Sequence, residues 1–414
     1  MLRRIVGDLP LVLTALALTA YGVAMVYSAG QTDVRSTATG LWQMQLFWVA
    51  VALAGALVAS RLSVRVMDWL TTPAYVAMLA LLALTLILGG GAGTAASTKS
   101  WIGIGPARIQ PAEFAKIVVV LMLAKVLASR REPARSLLDL WLPAIVVFMP
   151  WVLIMAQPDL GTGIVFVGIF FAMLFWSGVP WQLLVLLASP AVSLILSFST
   201  WVWGAWFLLL LAFVFYHRPY LLEGVSIVTA NVAMGVIAPM LWDRLAPYQQ
   251  NRLLVFLDPS RDPRNSGYHV IQSKIAIGSG GWFGSGYTSG SQKRLAFLPE
   301  QHTDFIFAVV GEELGFIGVM VALGLFALLF LRTVRVAERA NDPFGSLVAF
   351  GLLSSWFVHV VVNIGMTLNL MPITGIPLPF FSYGGSFMLA SWIAVGILLR
   401  VSMEGRGRAG RLAI

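Results

Sequence analysis

The sequence predicts an all-α membrane protein that crosses the bilayer many times. Of its 414 residues, 59% are hydrophobic and only 11% are charged, and the mean hydropathy is +0.86. A soluble chain of this length has too little interior to bury so much apolar surface, so a lipid bilayer must cover part of it. The chain has no cysteine, which excludes a disulfide framework, a thiol nucleophile and a thiolate metal site.

Apolar runs of membrane-spanning length predict about twelve transmembrane helices. We expect spans near residues 9–29, 41–59, 72–90, 112–128, 138–156, 160–176, 181–199, 201–216, 223–241, 304–331, 346–368 and 384–401. The first run has no small-residue cleavage site, so it is interpreted as a retained helix rather than a signal peptide.

The placement of basic residues predicts the orientation of these helices. Arg and Lys gather at both termini and in alternate connections, and the positive-inside rule assigns those segments to the cytoplasm. The segments 91–111 and 242–303 then face outside. We predict one transmembrane domain over 1–401, including the outer loop 242–303, and a basic cytoplasmic tail over 402–414. The stretch 406–411 of this tail is expected to be disordered against anionic lipid. The net charge of +9 therefore indicates contact with a lipid surface and not with nucleic acid.

The stretch 297–307 concentrates polar side chains where the outer loop meets the next span. It holds Glu300, His302, Thr303 and Asp304 at the predicted membrane surface. A carboxylate at the edge of the hydrocarbon region is costly, which makes it a functional candidate. The alternative is that Thr303 or Asp304 only caps the following helix.

Two further polar clusters carry charge into the predicted spans. Glu113 and Lys116 are three residues apart, so they share one face of a helix. They form either a structural ion pair or part of a polar cavity, since a cation inside an apolar helix needs a partner. Asp159 follows a proline and precedes an apolar run, which is typical of a helix N-cap, with direct substrate or metal contact as the alternative.

The segment 370–386 contains three prolines and several glycines, which exclude a continuous helix. Broken backbone at membrane depth is tolerated only when it is buried in protein or lines a cavity. We therefore expect a cavity wall or a re-entrant segment here, with a tight outer turn as the alternative.

The outer loop contains a candidate phosphate site. Residues 268–277 are predicted to form a short amphipathic helix on the membrane, followed by the glycine-rich run 278–286. Successive backbone N–H groups of such a run can bind an anion. Lys274, Lys293 and Arg294 lie nearby in sequence and would add positive charge for a phosphate or diphosphate.

These clusters together resemble the SEDS family of bacterial cell-wall glycosyltransferases, whose branches include RodA and FtsW. The resemblance covers nearly the whole chain and is carried by six segments in the family's order: 109–116, 157–162, 267–281, 297–307, 311–315 and 377–386. Segments 272–275, 363–366 and 372–377 are more similar to the RodA branch.

The resemblance implies an enzyme that polymerises lipid II at the outer face of the bacterial cytoplasmic (inner) membrane for cell elongation and shape. It makes Asp304 the counterpart of the family's essential aspartate and thus the expected general base. The expected substrate-binding residues are Glu113, Lys116, Asp159, Lys274, Lys293, Arg294 and His302.

The resemblance also implies a divalent cation, Mg²⁺ or Mn²⁺, whose ligands the sequence does not assign. The expected partners, besides lipid II and the bilayer, are a class B penicillin-binding protein, which is a transpeptidase, and other membrane proteins of the elongation complex. The family has a core of ten helices, so the two extra spans predicted over 200–241 are interpreted as an insertion.

The alternative function is a flippase or transporter of lipid II or another lipid-linked oligosaccharide, since broken helices and intramembrane charges also occur in transporters. A flippase should have polar residues along a path to the inner face, whereas a polymerase should gather them at the outer face. The polar clusters lie at the outer ends of the predicted spans, which favours the enzyme. A purely structural scaffold would leave Glu113 and Lys116 unexplained.

Overall fold

The structure is a computed structural model and describes residues 7–34, 36–91, 99–104, 107–130, 132–244, 247–259, 266–298 and 300–409. In chain order these residues form α1 (Leu9–Ala29), α2 (Leu41–Arg61), α3 (Val64–Leu88), an antiparallel hairpin of β1 (Ile102–Ile104) and β2 (Ala107–Ile109), α4 (Pro111–Ala128), a 3-10 turn (Leu137–Leu140), α5 (Trp141–Ala156), α6 (Leu160–Trp176), α7 (Trp181–Leu196), α8 (Thr200–His217), α9 (Leu221–Arg244), α10 (Pro247–Leu257), α11 (Ser266–Ser279), α12 (Ser291–Arg294), α13 (Ile306–Glu338), α14 (Pro343–Thr367) and α15 (Gly385–Ala409).

The twelve predicted spans are confirmed as helices α1–α9 and α13–α15. Among the described residues, nine are long and apolar enough to cross a membrane by length and composition, with the 3-10 turn counted as part of the α5 span. The apolar helices α6 and α7 are shorter, and α4 is the span that carries Glu113, Lys116 and Lys125. The chain is therefore an all-α polytopic membrane protein.

Several helices extend further than hydropathy predicts, because a helix does not stop at the edge of the hydrocarbon region. α3 begins at Val64 rather than near residue 72, after the Ser63 hydroxyl caps the Val66 N–H. α15 continues to Ala409. The predicted disorder of residues 406–411 is therefore wrong for residues 406–409, and residues 410–414 lie outside the described residues.

Contacts between connecting segments agree with the predicted alternation of sides. On the outer side, Arg294 pairs with Asp33, and Gln110 donates to Asp159. On the inner side, Lys125 lies 3.5 Å from Asp68, and Glu404 accepts the Val64 N–H. Each contact joins segments that the positive-inside rule assigns to the same face.

α14 is the central helix of the bundle. It packs against α4, α6 and α13, and most of its side chains are buried, whereas α2, α3 and α5 present apolar residues outward. α15 packs closely along α2, where Gly396 lies against the carbonyl of Ala56. Small residues at such crossings let helix backbones approach within the membrane.

α8 and α9 are peripheral and pack chiefly on α7. Their junction is polar: Asn231 donates to the Ser189 hydroxyl and accepts from the Ser193 hydroxyl at 2.6 Å. Trp206 also donates to Ser193. The peripheral position fits the predicted insertion, because a helix pair placed there leaves the contacts of α14 intact.

α13 is interrupted at Gly315, one turn below its two buried carboxylates. Gly315 has φ 61° and ψ −158°, a conformation that only glycine adopts readily. The interruption leaves carbonyl groups above it and N–H groups below it without helical partners. Since unsatisfied backbone groups are very costly at membrane depth, another segment must bond them.

The glycine-rich run supplies those bonds. Ser285 N–H and Gly286 N–H donate to the carbonyls of Glu312 and Glu313, at 2.9 and 3.1 Å. In return, Phe316 N–H donates to Gly281 O at 2.9 Å, and Ile317 N–H donates to Trp282 O. The run therefore completes the interrupted helix. The prediction that it binds an anion is wrong for these N–H groups, because the helix already occupies them.

The close contact explains why glycine is needed at position 284. A Cβ on Gly284 would lie 2.0 Å from the Glu313 carbonyl oxygen, and its φ is +78°. We predict that Gly284→Ala lowers the free energy of unfolding by about 1–3 kcal/mol through overpacking. Thermal unfolding of the purified protein followed by tryptophan fluorescence measures this.

Gly278→Ala is the matched control, because a Cβ there meets no atom within 4 Å. Gly278 lies in the same run but inside α11, where alanine is the better helix former. Equal melting temperatures for Gly284→Ala and Gly278→Ala would contradict the assigned role of the run.

Candidate active site

Five of the predicted site residues lie at the outer ends of α4, α6 and α13, close to the outer end of α14: Glu113, Lys116, Asp159, His302 and Asp304. The non-helical segment 368–384 folds back between these ends, and its side chains Ile376, Leu378, Phe381 and Ser382 are buried. Residues 376–382 are thus mostly enclosed by protein, as expected for the wall of a site, whereas Leu368 and Leu370 at the start of the segment are exposed.

The wall segment is held by hydrogen bonds to the turn before α13 and to α2. Leu378 N–H donates to the Ser382 hydroxyl, which donates to Thr303 O at 2.7 Å. The Gln45 amide from α2 donates to Ser382 O and accepts the Gly384 N–H. These bonds join the wall to the turn that contains Asp304, so the two segments form one unit.

Glu113, Lys116 and His359 form a buried polar chain across α4 and α14. The Lys116 ammonium donates to Glu113 Oε2 at 2.5 Å and lies 2.7 Å from His359 Nε2. Glu113 and Lys116 are each 3% exposed. Lys116 also lies over the Phe387 ring, 4.8 Å from its centroid. The predicted ion pair is confirmed, and it is sealed from solvent in this conformation.

Asp159 is confirmed as the N-cap of α6. Its carboxylate accepts the Thr162 N–H at 3.0 Å and the Thr162 hydroxyl at 2.9 Å. It also accepts from the Gln110 side chain at 2.8 Å, just before α4 begins. The carboxylate thereby ties the outer ends of α4 and α6 together, and its contact with substrate stays a prediction.

Asp304 lies in the turn directly before α13. The N-cap of α13 is Phe305, so neither Thr303 nor Asp304 holds the capping position that the alternative interpretation assigned to them. Asp304 Oδ2 lies beside the wall segment, 3.3 Å from the position of a Cβ on Gly375. Its side chain is half-buried, so it can meet both the protein wall and a ligand.

His302 occupies the same turn and contacts the wall. Its carbonyl accepts the Tyr383 N–H at 2.9 Å, and its Nε2 lies 3.8 Å from Glu300 Oε2. Burial lowers the pKa of His302, and the Glu300 carboxylate partly opposes that shift. A neutral His302 therefore supports the turn at neutral pH, and its predicted substrate contact stays untested.

The three cationic residues of the outer loop do not gather into one phosphate site. Lys293 is fully buried and donates to Ser28 O at 3.0 Å, with Glu313 Oε1 2.8 Å away. Arg294 pairs with Asp33 at the surface. Lys274 is exposed on α11 and forms no ion pair with another described residue.

Lys293 is paired with Glu313 inside the protein in this conformation, and its contact with substrate stays a prediction. Glu312 accepts the Gln292 N–H at 2.7 Å and Glu313 accepts the Ser28 hydroxyl at 2.5 Å. These two carboxylates therefore meet residues of α1 and the outer loop, and fasten the loop beside the interruption of α13.

Two residues of the site, His359 and Asn363, were not assigned a role from the sequence. Their signal was a pair of polar side chains four residues apart in an apolar helix, and that spacing puts both on one face. His359 is one of four histidines scattered along the sequence. Its contact with Lys116 joins residues 243 positions apart, and sequence spacing does not reveal such a contact.

The fold and the site define a polytopic membrane protein with charged groups enclosed near its outer face. The family profile FTSW_RODA_SPOVE, described as "Cell cycle protein", matches residues 9–209 and 198–407. The chain belongs to this family, which confirms the SEDS membership predicted from the motifs.

Relatives with curated names cover nearly the whole chain. It is 37% identical over 425 residues to peptidoglycan glycosyltransferase RodA of Treponema pallidum, covering 95% of this chain and 97% of that one. It is 35% identical over 397 residues to peptidoglycan glycosyltransferase MrdB of Escherichia coli K12, covering 95% and 93%. The chain is therefore a multi-pass protein of the bacterial inner membrane.

A solved structure shares the fold. It is the structure of a peptidoglycan synthase complex, reported as "structural coordination of polymerization and crosslinking by a peptidoglycan synthase complex". Its matching chain superposes with a TM-score of 0.72 at 30% identity, covering 96% of this chain and 98% of that one. The helical arrangement derived above is therefore the arrangement of this family.

The buried pair predicts a large cost for removing one charge. Lys116→Met leaves Glu113 buried without its cation, and breaking a buried pair in this way costs about 3–5 kcal/mol. The double variant Glu113→Gln/Lys116→Met removes both charges and should recover part of the loss. Thermal unfolding in detergent measures both.

Lys125→Met is the control on the same helix. Lys125 and Asp68 are 34% and 46% exposed and 3.5 Å apart, so their pair should contribute about 0–1 kcal/mol. A similar loss of stability for Lys116→Met and Lys125→Met would show that the Lys116 charge is not enclosed as described.

Proposed function

We propose that this protein is a peptidoglycan glycosyltransferase that polymerises lipid II into glycan strands at the outer face of the membrane. Lipid II is a disaccharide-pentapeptide carried on a polyprenyl diphosphate. The observation that supports this most is the meeting of Asp304, the wall segment and the Glu113–Lys116 pair at the outer ends of the central helices. The outer ends of these helices are expected at the membrane surface, which is where the sugars of a lipid-linked substrate lie.

The reaction requires one bond to form and one to break at a sugar carbon. The 4-hydroxyl of the acceptor GlcNAc attacks C1 of the donor MurNAc, the C1–O bond to the diphosphate breaks, and the diphosphate lipid leaves with the electron pair. An α linkage in the donor becomes β in the product, so a single in-line displacement with inversion is enough. The hydroxyl proton must pass to a base.

Asp304 is the proposed base. It is half-buried at the outer end of α13, next to the wall segment, and the Asn363 amide of α14 donates to its backbone carbonyl. A carboxylate there can accept the proton while the sugars remain outside and the lipid tails lie between helices. Lys116 is proposed to contact the diphosphate once the enclosed pair opens to the substrate: an ammonium has three N–H donors, and in this conformation Glu113 and His359 occupy two of them.

The distribution of buried charge favours polymerisation over lipid transport. In the described inner halves of α4 and α14, the buried polar side chains are hydroxyls such as Ser354 and Ser355. Lys125 lies at the inner end of α4 beside Asp68 and not on a path between the faces. A transporter would need polar groups along that path.

A divalent cation, Mg²⁺ or Mn²⁺, is proposed to act with the substrate. The described residues contain no group of three His, Asp or Glu side chains that could hold a metal ion. Mg²⁺ commonly binds through one or two carboxylates together with substrate phosphates and water. One carboxylate of the site would be enough as the protein's ligand in such a coordination sphere. A bound cation would offset the negative charge of the diphosphate.

The proposed partner is a class B penicillin-binding protein that crosslinks the new strand, together with other membrane proteins of an elongation complex. This proposal is supported by the likeness to a chain of a peptidoglycan synthase complex. The finer assignment to cell elongation is supported by the names of the RodA and MrdB relatives.

The base assignment predicts the loss of polymerisation on changing Asp304. The purified protein with its penicillin-binding partner and a divalent cation should make glycan strands from lipid II, whereas Asp304→Asn and Asp304→Ala should slow this about 10²–10⁴-fold. Gel analysis of the strands measures the product, and thermal unfolding checks that each variant is folded.

Asp33→Asn is the control, because Asp33 is an outer aspartate whose only described ion pair is with Arg294 at the surface. It should polymerise like the wild type. Normal activity of folded Asp304 variants would disprove the base assignment. A wild type that makes no polymer but moves lipid II across vesicle membranes would favour the flippase.

The cation proposal predicts that tight metal binding needs the substrate. Electron paramagnetic resonance of Mn²⁺ should show little bound metal with the protein alone and clear binding after lipid II is added, and chelation should stop polymerisation. Lipid II in detergent without protein is the control. A tight Mn²⁺ site in the protein alone would contradict a substrate-supplied coordination sphere.

A further inference from the structure

One face of α14 contacts both the Glu113–Lys116 pair and the turn that contains Asp304. His359 and Asn363 are four residues apart, so they lie one helical turn from each other on that face. Both are 0% exposed. Each makes two hydrogen bonds to other segments, and together the two side chains bind successive carbonyls of the wall, those of Ile376 and Pro377.

His359 joins the wall to the lysine of the buried pair. Its Nδ1 lies 2.9 Å from Pro377 O, and a carbonyl can only accept, so Nδ1 carries the hydrogen. Its Nε2 lies 2.7 Å from the Lys116 ammonium, which can only donate, so Nε2 accepts. The ring is therefore neutral, and it links the Lys116 ammonium to the Pro377 carbonyl.

Asn363 joins the wall to the turn of the proposed base. Its amide Nδ2 donates to Asp304 O at 2.9 Å and to Ile376 O at 2.8 Å. Both amide hydrogens are thus used. The bond to the Asp304 carbonyl fixes the backbone from which the carboxylate extends, and the bond to Ile376 fixes the residue after Gly375, beside which that carboxylate lies.

The two bridges share a rigid support. α14 packs on α4, α6 and α13, so its outer turns have little freedom to move. One helical turn, about 5.4 Å, therefore sets the offset between the support of Lys116 and the support of Asp304. Without these bridges, the wall carbonyls of residues 376 and 377 would lose their partners within the protein.

We infer that His359 and Asn363 are positioning residues that set the placement of Lys116 and Asp304 relative to each other through the wall carbonyls of Pro377 and Ile376. This inference rests on the proposed polymerisation. Neither side chain needs to touch the reacting atoms, since a small misplacement of catalytic groups alone can cost about 100-fold in rate.

The test separates the individual bonds. Asn363→Leu keeps the volume and removes both amide donors. His359→Asn keeps a donor near the Nδ1 position and loses the acceptor for Lys116, whereas His359→Gln keeps an acceptor near the Nε2 position and loses the donor. His359→Ala removes both. Thr367→Val is the control, because the Thr367 hydroxyl one turn from Asn363 bonds only Ile364 O of its own helix.

Steady-state polymerisation of lipid II gives kcat and KM for each variant. We expect kcat of Asn363→Leu and His359→Ala to fall about 100-fold with KM within about twofold. His359→Asn and His359→Gln should each recover part of the His359→Ala loss, and Thr367→Val should match the wild type. A rise in KM with kcat unchanged would overturn the inference. Full activity of folded Asn363→Leu and His359→Ala would overturn it as well.

Hydrogen–deuterium exchange provides a readout without turnover. Exchange should rise in peptides covering 300–305 and 372–384 in the variants and stay unchanged over 281–290, which bonds α13 independently of α14. Unchanged exchange in 372–384 would also overturn the inference. If Asn363→Leu or His359→Ala does not fold, the His359→Asn and His359→Gln pair decides.

Failure of the proposed function has a different signature. An inactive wild type would disprove polymerisation, and the exchange measurement would still report whether His359 and Asn363 hold the wall. Suppose that the wild type is active, Asp304→Asn is inactive, and the His359 and Asn363 variants are fully active. The proposed function would then stand, and the positioning role of His359 and Asn363 would be disproved.

Discussion

The structure depends on one constraint: every backbone N–H and C=O group within the membrane must find a partner inside the protein. Two interruptions meet this constraint in different ways. At Gly315 the glycine-rich run bonds the freed groups of α13. In the segment 368–384, side chains of α14 and α2 bond the wall carbonyls and N–H groups. Polar residues at these places thus satisfy the backbone and also shape the site.

Charged side chains buried in the protein also find their partners inside it. The Glu113–Lys116 pair lies on α4, and the Glu313–Lys293 pair joins α13 to the outer loop. Only the first contacts the wall of the site, through His359. The second fastens the loop to α1 through Ser28. Similar buried pairs can therefore support the site or hold the loop, and their position relative to the broken segment distinguishes them.

Much of the site was predictable because its signals are local. Glu113 and Lys116 are spaced for one helix face, and Asp159 stands where an N-cap stands. The role of the glycine-rich run as the hydrogen-bonding partner of α13 was not predictable from local signals. Its composition fits an anion site and a backbone partner equally, and only the interruption at Gly315, far along the chain, decides between them. The enclosure of Lys293 was not predictable for the same reason.

The sequence by itself determined the membrane class, the twelve helices, their alternation of sides and the family. Hydropathy, helical period and charge placement act over a few turns and need no partner. Only the tertiary structure decided which groups meet: that His359 bonds Lys116, that Asn363 bonds Asp304, and that Lys293 is enclosed. These contacts join segments far apart in sequence, and the packing of helices around α14 sets their distances.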